Sequence, residues 1–266
     1  KGIMILQNIK YLFILLLAES KGIFLYVWQN LQGLMFPVFT MFFILDFIPV
    51  EEKFRRQHLL YVYMIVVYII FTTSFPRKIG SWFYSQKQRG TIETIALTRL
   101  GILGTVTYLF CLHLMLFFLV ELPLFVIIAK YFLGIDVLAH WDTFMGLFIA
   151  INLFLSYGLT VWQVAVYALF DLSVFSISSK RVMFNFLAGA YVPVSCFPWW
   201  IKIFSLLLPF TYGAILLDKI VFKIETVTVS DFSFFFFLCF LVFVTVLWAF
   251  HLIQRYVLVN KSFRTY

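Results

Sequence analysis

The chain has 266 residues, of which 64% are hydrophobic, 21% are aromatic and only 12% are charged. Soluble domains contain about one half apolar and about one quarter charged residues, so this composition excludes a soluble globular domain and predicts an integral membrane protein. The net charge of +8 does not indicate nucleic-acid binding, because the Lys and Arg residues cluster at the ends of apolar runs, where they orient a protein in the bilayer. We expect one all-α integral membrane domain over residues 1–266.

The apolar residues form runs that are long enough to cross a bilayer, which takes about 20 residues in a helix. These runs lie near residues 24–48, 59–79, 102–133, 143–170, 182–197 and 231–258. The sequence therefore predicts about six membrane-spanning helices.

Residues 1–22 precede the first long run, and Gln7, Asn8 and Lys10 interrupt their apolar character. One interpretation is a helix that lies in the inner membrane interface, and the other is a signal peptide that ends near Ala18. The interfacial helix is favoured, because the next span follows almost at once and leaves no soluble region to export.

The basic residues predict the orientation of the chain. With the N-terminus inside, thirteen of the 20 Lys and Arg residues lie on the cytoplasmic side and seven lie outside. The thirteen are Lys1, Lys10, Lys21, Arg77, Lys78, Lys87, Arg89, Arg99, Lys180, Arg181, Arg255, Lys261 and Arg264. The positive-inside rule then predicts a multi-pass protein of the cell membrane with both termini in the cytoplasm.

A short polar segment, QKQRGTIETIALTRLG at residues 86–101, separates the second and third runs. After Gly90 frees the backbone, Thr91 is suited to cap a helix, and Glu93 lies where the helix dipole favours an anion. The residues of its apolar face are Ile92, Ile95 and Ala96. We expect a self-contained surface helix that the spans do not bury, and the alternative is an ordinary amphipathic loop at the membrane interface.

A second unusual segment, VPVSCFPWWIKIFSLLLPFTYGAILLDKI, joins the fifth and sixth runs. Pro193, Pro198 and Pro209 break it as a helix, and the Trp199–Trp200 pair is typical of a bilayer interface. The segment predicts short helices that enter the outer leaflet and return.

Together these two segments resemble the membrane subunit of type-2 ABC exporters. In that family a stretch like E-K-E-x-G-T-[IL]-E-x-[IL] precedes the third span, while P-x-W-[IL]-x-x-[IL] and x-P-[FL]-T-Y precede the last. Here they stand as QKQRGTIETIALTRLG, as FPWWIK at 197–202 and as LPFTY at 208–212. The chain departs from the family pattern where Gln86 and Gln88 replace common acidic residues and where Thr98-Arg99 replaces a common Thr-Pro.

The resemblance implies a transporter that consists of several subunits with different roles. A separate ATPase, in two copies, would dock on a cytoplasmic coupling helix at 81–100, and a second permease chain, identical or homologous, would complete the transporter within the lipid. The coupling contacts would be Arg89, Gly90, Thr91, Glu93, Thr94 and Arg99. The outer re-entrant helices at 197–217 would carry Pro198, Trp199, Trp200, Pro209 and Tyr212. The substrate would be amphipathic or hydrophobic, such as a drug, peptide, lipid or glycan-lipid.

No catalytic or metal-binding motif occurs in the sequence. The chain has no G-x-x-x-x-G-K-[ST] loop, so ATP and Mg would be bound by the partner subunit, and we expect no enzyme activity and no cofactor in this chain itself. His58, His113, His140 and His251 are scattered, and the three cysteines lie in separate apolar segments, so neither a catalytic nor a metal site is indicated.

A few polar residues inside the apolar runs are candidates for a substrate pathway, namely Glu121 and Asn185. The competing interpretation for Glu121 is that its span ends there and the carboxylate reaches the outer headgroups. For Asn185, and equally for Gln163 and Asn152, hydrogen bonding between helices is the competing interpretation. A rival to the exporter is an ion-coupled carrier or channel, which uses buried carboxylates or broken helices.

Overall fold

The computed structural model describes residues 28, 52–98, 100–132, 134, 143–169, 186–187, 189, 194–222 and 226–260. Within these ranges the chain is all-helical and contains no strand. The helices are α1 (Glu52–Gln88), α2 (Ile92–Leu97), α3 (Gly101–Leu116), α4 (Leu122–Phe132), α5 (Thr143–Leu169), α6 (Trp199–Leu206), α7 (Pro209–Phe222) and α8 (Val229–Asn260). A π-helical stretch, Phe117–Glu121, joins α3 to α4 without a break, and we call it the π segment.

Four helical stretches are long and apolar enough to cross a membrane, namely Leu60–Gln88, Gly101–Tyr131, Thr143–Tyr167 and Val229–Trp248. They coincide with four of the predicted runs. The bent pair formed by α6 and α7 would be a fifth span if it were counted as one. The predicted runs 24–48 and 182–197 and the interfacial helix at 1–22 fall wholly or largely outside the described residues. The count of six spans therefore stays a prediction.

Helix α1 is longer than a membrane-spanning helix needs to be. Its 37 residues correspond to about 55 Å, whereas the hydrocarbon core of a bilayer is about 30 Å thick. A span that begins at Leu60 is complete near residue 80, and the last two turns of α1 project past it. The predicted coupling segment at 81–100 is therefore not one helix, because Ser81–Gln88 continue α1 and only α2 is separate.

Helices α1 and α5 form the centre of the bundle. They pack against each other along their length, with α3 and α7 against both and α8 against α5. Phe75 of α1 is fully buried and makes edge-to-face contacts with Phe71, Phe110 and Phe117, at ring-centroid distances of 5.3 to 5.8 Å. Such ring pairs join α1 to α3 and the π segment through close aromatic packing.

A proline inside α1 is accommodated by a neighbouring helix. Pro76 has no N–H, so the carbonyl of Thr72, four residues earlier, loses its usual helical donor. The hydroxyl of Ser156 in α5 donates to this carbonyl at 3.5 Å. Inside a membrane no water can do so, and the contact therefore lets α1 continue through Pro76.

Gly213 of α7 faces aromatic side chains of two neighbouring helices. A Cβ at this position would overlap the hydroxyl of Tyr68 in α1 and would lie 3.0 Å from the ring of Phe235 in α8. Glycine therefore leaves room for both rings here, as small residues do at interfaces between membrane helices.

Candidate functional site

The turn between α1 and α2 is a Schellman motif centred on Gly90. The N–H of Gly90 donates to Lys87 O at 3.0 Å, and the N–H of Thr91 donates to Gln86 O at 3.0 Å. Gly90 has a φ of 68°, the left-handed conformation that this motif requires after the end of a helix. The motif fixes the direction in which the chain leaves α1 and enters α2.

Thr91 occupies the predicted N-cap position of α2, but its side chain does not cap that helix. Its hydroxyl lies instead 2.6 Å from Gln86 Oε1 and 3.1 Å from Gln86 O, on the last turns of α1. The capping role predicted from the sequence is wrong for the side chain, because the Schellman turn brings Thr91 back over α1. The hydroxyl therefore reinforces the turn and not α2.

The apolar face of α2 is anchored in the bundle. Ile92 is only 4% exposed and belongs to the same buried cluster as Phe83 and Val106, while Ile95 packs at its edge. The expectation that the spans bury none of this helix is therefore wrong. The physical reason is that α2 is too short to be stable alone and gains its stability by burying Ile92 against α1 and α3.

The coupling residues predicted from the sequence lie in the turn between α1 and α2 and in α2 itself, wherever the structure describes them. Arg89, Gly90 and Thr94 are exposed, and Thr91 is half-buried. The backbone of Glu93 lies in α2, but its side chain is outside the described part of the structure, as is Arg99. The structure thus brings together four of the six predicted residues on one exposed turn and helix.

The segment 197–217 is broken as the prolines predict. Pro198 immediately precedes α6, Pro209 begins α7, and the two helices meet at an angle of 89°. On α6, Trp199 is 75% exposed and Trp200 is 53% exposed. A continuous span is therefore excluded for this segment, while its location in the outer leaflet stays a prediction.

A polar network ties α7 to the first turn of α8. The Tyr212 hydroxyl donates to Asp231 Oδ1 at 3.3 Å, and Lys219 forms an ion pair with the same oxygen at 3.6 Å. The other carboxylate oxygen of Asp231 accepts from the backbone N–H of Thr228 at 2.9 Å. Tyr212 thus has a structural contact that the sequence alone did not indicate.

Glu121 does not mark the end of a helix, because it lies in the π segment and the helix continues beyond it to Phe132. Its side chain is 1% exposed and packed inside the bundle, so the interpretation that its carboxylate reaches the outer headgroups is wrong. Pro123 follows two residues later without breaking the helix, and directly before it the N–H of Leu122 bonds to Phe117 O in the π-helical manner.

The π segment keeps one face of this span buried. His113, Phe117, Glu121 and Phe125 are all buried and follow one another at intervals of four residues. In an α-helix each such step overshoots a turn by about 40°, so three steps would rotate Phe125 by about 120° away from His113. The wider π turn takes up this rotation, and it places an ionisable carboxyl on the packed face of the helix.

Two amide side chains of the spans, those of Asn152 and Gln163, bond within their own helix, α5. The Asn152 side-chain Nδ2 donates to Phe148 O at 2.7 Å, and Gln163 Nε2 donates to Tyr167 Oη at 2.8 Å. The predicted hydrogen bonds between helices are therefore not what these two amides form. Asn185 lies outside the described residues.

A cavity of about 100 Å³ lies between α1, the π segment, α4, α5 and α7. Seven aromatic side chains line it, together with Met64 and Met145 and the amide of Asn152. Sequence analysis missed it, because every one of these residues except Asn152 is ordinary in an apolar run. The one sequence signal was an asparagine in the middle of a predicted span.

In the part of the chain that the structure describes, no group of three His, Cys, Asp or Glu side chains is placed to hold a metal ion. Of the cysteines there, Cys111 and Cys196 are exposed and Cys239 is buried.

No family model matches this sequence, and no curated protein or solved structure matches it either. What the chain does is therefore inferred from its own residues and their arrangement.

Proposed function

We propose that this chain is the membrane subunit of an ATP-driven exporter of the type-2 ABC kind. It would move an amphipathic or hydrophobic substrate out of the cytoplasm, together with a second permease chain and two copies of a separate ATPase that bind ATP and Mg. The chain itself would provide the path through the cell membrane and no chemical catalysis. Both of its termini would lie in the cytoplasm.

The observation that carries the proposal is the construction of α2. A helix of six residues is only marginally stable on its own. Its presence at the end of the bundle therefore favours a role for its position. Here a Schellman turn fixes its start, Ile92 holds it against the spans, and Arg89 and Thr94 remain exposed. This is the design of a rigid contact that passes force from a partner to α1 and α3.

The broken pair α6 and α7 supports the same proposal from the other end of the molecule. Exposed tryptophans on a short helix at a right angle to its neighbour suit the outer interface of a bilayer. A coupling helix at one end and a re-entrant pair before the last span is the combination that the family resemblance implies.

The test is to purify the tagged chain from its native membrane and to identify, by mass spectrometry, a P-loop ATPase that co-purifies. In the Glu93→Lys variant, recovery of that ATPase should fall by about 30-fold or more, because reversing one partner of a buried charge contact costs about 2–5 kcal/mol. Insertion and yield of the membrane chain should stay near those of the wild type.

The matched control is Lys130→Glu, a charge reversal at an exposed position in the last turn of α4, at the opposite end of that span from α2. It should leave ATPase recovery unchanged. If Glu93→Lys and the wild type recover the same amount of ATPase, α2 is only an interfacial loop and the exporter proposal fails.

A second candidate function is an ion-coupled secondary carrier, and the burial of Glu121 favours it. A carboxyl that is 1% exposed inside a bundle of membrane-spanning helices is costly and is typical of proton or ion pathways. For a carrier, transport would collapse when an ionophore dissipates the ion gradient, and Glu121→Gln would abolish it. For the exporter, transport would depend on ATP and would continue in the presence of the ionophore.

A further inference from the structure

The cavity between α1, the π segment and α5 has a largely apolar wall of aromatic rings, aliphatic side chains and two methionines. Its polar groups are the amide of Asn152 and the hydroxyls of Tyr63 and Tyr68, of which the Tyr63 hydroxyl is already bonded to Phe125 O. Methionine side chains adapt to ligands of different shape, and aromatic rings offer faces on which another ring can stack. The wall is thus suited to an apolar molecule and not to water.

Asn152 has an unused acceptor. Its side chain is 0% exposed, and its Nδ2 donates to Phe148 O within α5. Because a carbonyl can only accept, this bond fixes the orientation of the amide and leaves Oδ1 as the remaining polar atom. Among the described residues Oδ1 has no hydrogen-bond partner. A buried acceptor without a donor is costly, so a ligand that donates one hydrogen bond would be stabilised here.

The wall is shaped by the irregular part of the neighbouring span. Phe117 and Phe118 belong to the π segment, and Phe125 follows in α4, where its carbonyl accepts from the Tyr63 hydroxyl of α1. That bond joins two walls of the cavity across the bundle. π-helical turns occur frequently at functional sites, and here one widens the span beside the cavity.

We propose that this cavity is a binding site for a small aromatic molecule that carries one hydroxyl or N–H donor, with the ring held among the aromatic side chains and the donor bonded to Asn152 Oδ1. An apolar protein cavity of about 150 Å³ takes up benzene, so the volume of about 100 Å³ limits the ligand to a single ring without bulky substituents. A whole lipid or a peptide is too large for it.

This site is separate from the proposed ATPase contact. Val67 in its wall lies 21 residues before Gln88 at the end of α1, which is about 30 Å along the helix. The inference therefore does not depend on the exporter proposal, and a missing ATPase would leave it standing.

The experiment uses the full chain in lipid nanodiscs and two photoreactive probes. One is 3-azidophenol, and the other is the matched azidobenzene, which lacks the hydroxyl and adds little bulk to the ring. After correction for partitioning into lipid, the phenol should label peptides around Phe117–Val126 and Met145–Asn152 saturably, with an apparent affinity about 2- to 10-fold above that of azidobenzene. In Asn152→Leu this preference should disappear while both probes still bind.

A cavity-filling variant provides the second measurement. Val67→Phe places a ring in the cavity and should lower saturable labelling by both probes about fivefold or more. Ile127→Phe is the matched control, because Ile127 is exposed and lies outside the cavity wall. It should label like the wild type.

The proposal is overturned if labelling does not saturate, if it lies on outward faces such as that of α8, or if Val67→Phe and Ile127→Phe label equally. Should Val67→Phe fail to give a monodisperse protein, the ratio of the apparent affinities of 3-azidophenol and azidobenzene decides. A ratio that is the same in the wild type and in Asn152→Leu then refutes the role of Asn152.

Discussion

Replacing Gly90 by alanine tests whether the Schellman turn holds α2 in place. Gly90 has a φ of 68°, and a Cβ built there would meet no atom within 4 Å. The substitution therefore adds no steric overlap with the rest of the protein. Its whole effect should come from holding an alanine in the left-handed conformation.

The size of that effect follows from the backbone alone. A non-glycine residue in the left-handed region costs about 1–2 kcal/mol, which corresponds to about a 5- to 30-fold rise in the open population of the turn. Asparagine tolerates this conformation better than alanine does, so Gly90→Asn should lie between the wild type and Gly90→Ala. The spans themselves should be unaffected, because the turn lies beyond the membrane-spanning length of α1.

Hydrogen exchange followed by mass spectrometry measures this opening at the amides of residues 90 and 91. These amides are protected by their bonds to Lys87 O and Gln86 O, and their exchange, corrected for intrinsic rates, should rise by about 5- to 30-fold in Gly90→Ala. Gly146→Ala is the control, since Gly146 also has open space around it but lies in regular helix without a positive φ. Exchange at the turn that stays within about twofold of the wild type would refute the reasoning.

Two further predictions concern the packing of α2 and the orientation of the chain in the membrane. Ile92→Ala should destabilise the packing of α2 by about 2–5 kcal/mol, because Ile92 is buried. Thr94→Ala at an exposed position of the same helix should stay within about 0.5 kcal/mol of the wild type, and comparing their thermal denaturation in detergent tests both. A cysteine in place of Ser85 should be shielded from membrane-impermeant thiol reagents in intact cells, whereas one in place of Gln57 should react. The reverse pattern would contradict the predicted orientation.

The spans could be predicted from the sequence because hydropathy over about 20 residues depends on composition and not on packing. Leu60–Gln88 and Gly101–Tyr131 begin within one residue of the predicted runs. The ends of the helices were harder to predict, since polar residues such as Arg77 and Lys78 do not stop a helix. α1 continues through them to Gln88, because nothing in its last turns opposes helical structure before Gly90.

The site was predicted only in part, and the failures share one cause. Thr91 was expected to cap α2, and Glu121 was expected at a span end, because each was judged from its immediate neighbours in sequence. The positions of both depend on contacts with other elements, namely Gln86 at the end of α1 and the packed face opposite α1. The breaks at Gly90, Pro198 and Pro209 were predictable, because their cause lies in the residues themselves.

Helix α1 links the two candidate sites, and its own weak point lies between them. It carries the turn that positions α2 at one end and the cavity residues Val67 and Phe71 towards the other. If a partner moves α2, as the proposed function requires, a continuous helix passes that movement along its axis. The series of backbone hydrogen bonds in α1 is interrupted at Pro76, where the Thr72 carbonyl accepts a hydrogen bond from the Ser156 hydroxyl of α5. A bend at Pro76 would move Val67 and Phe71 relative to α5, and the hydroxyl of Ser156 lies at that point.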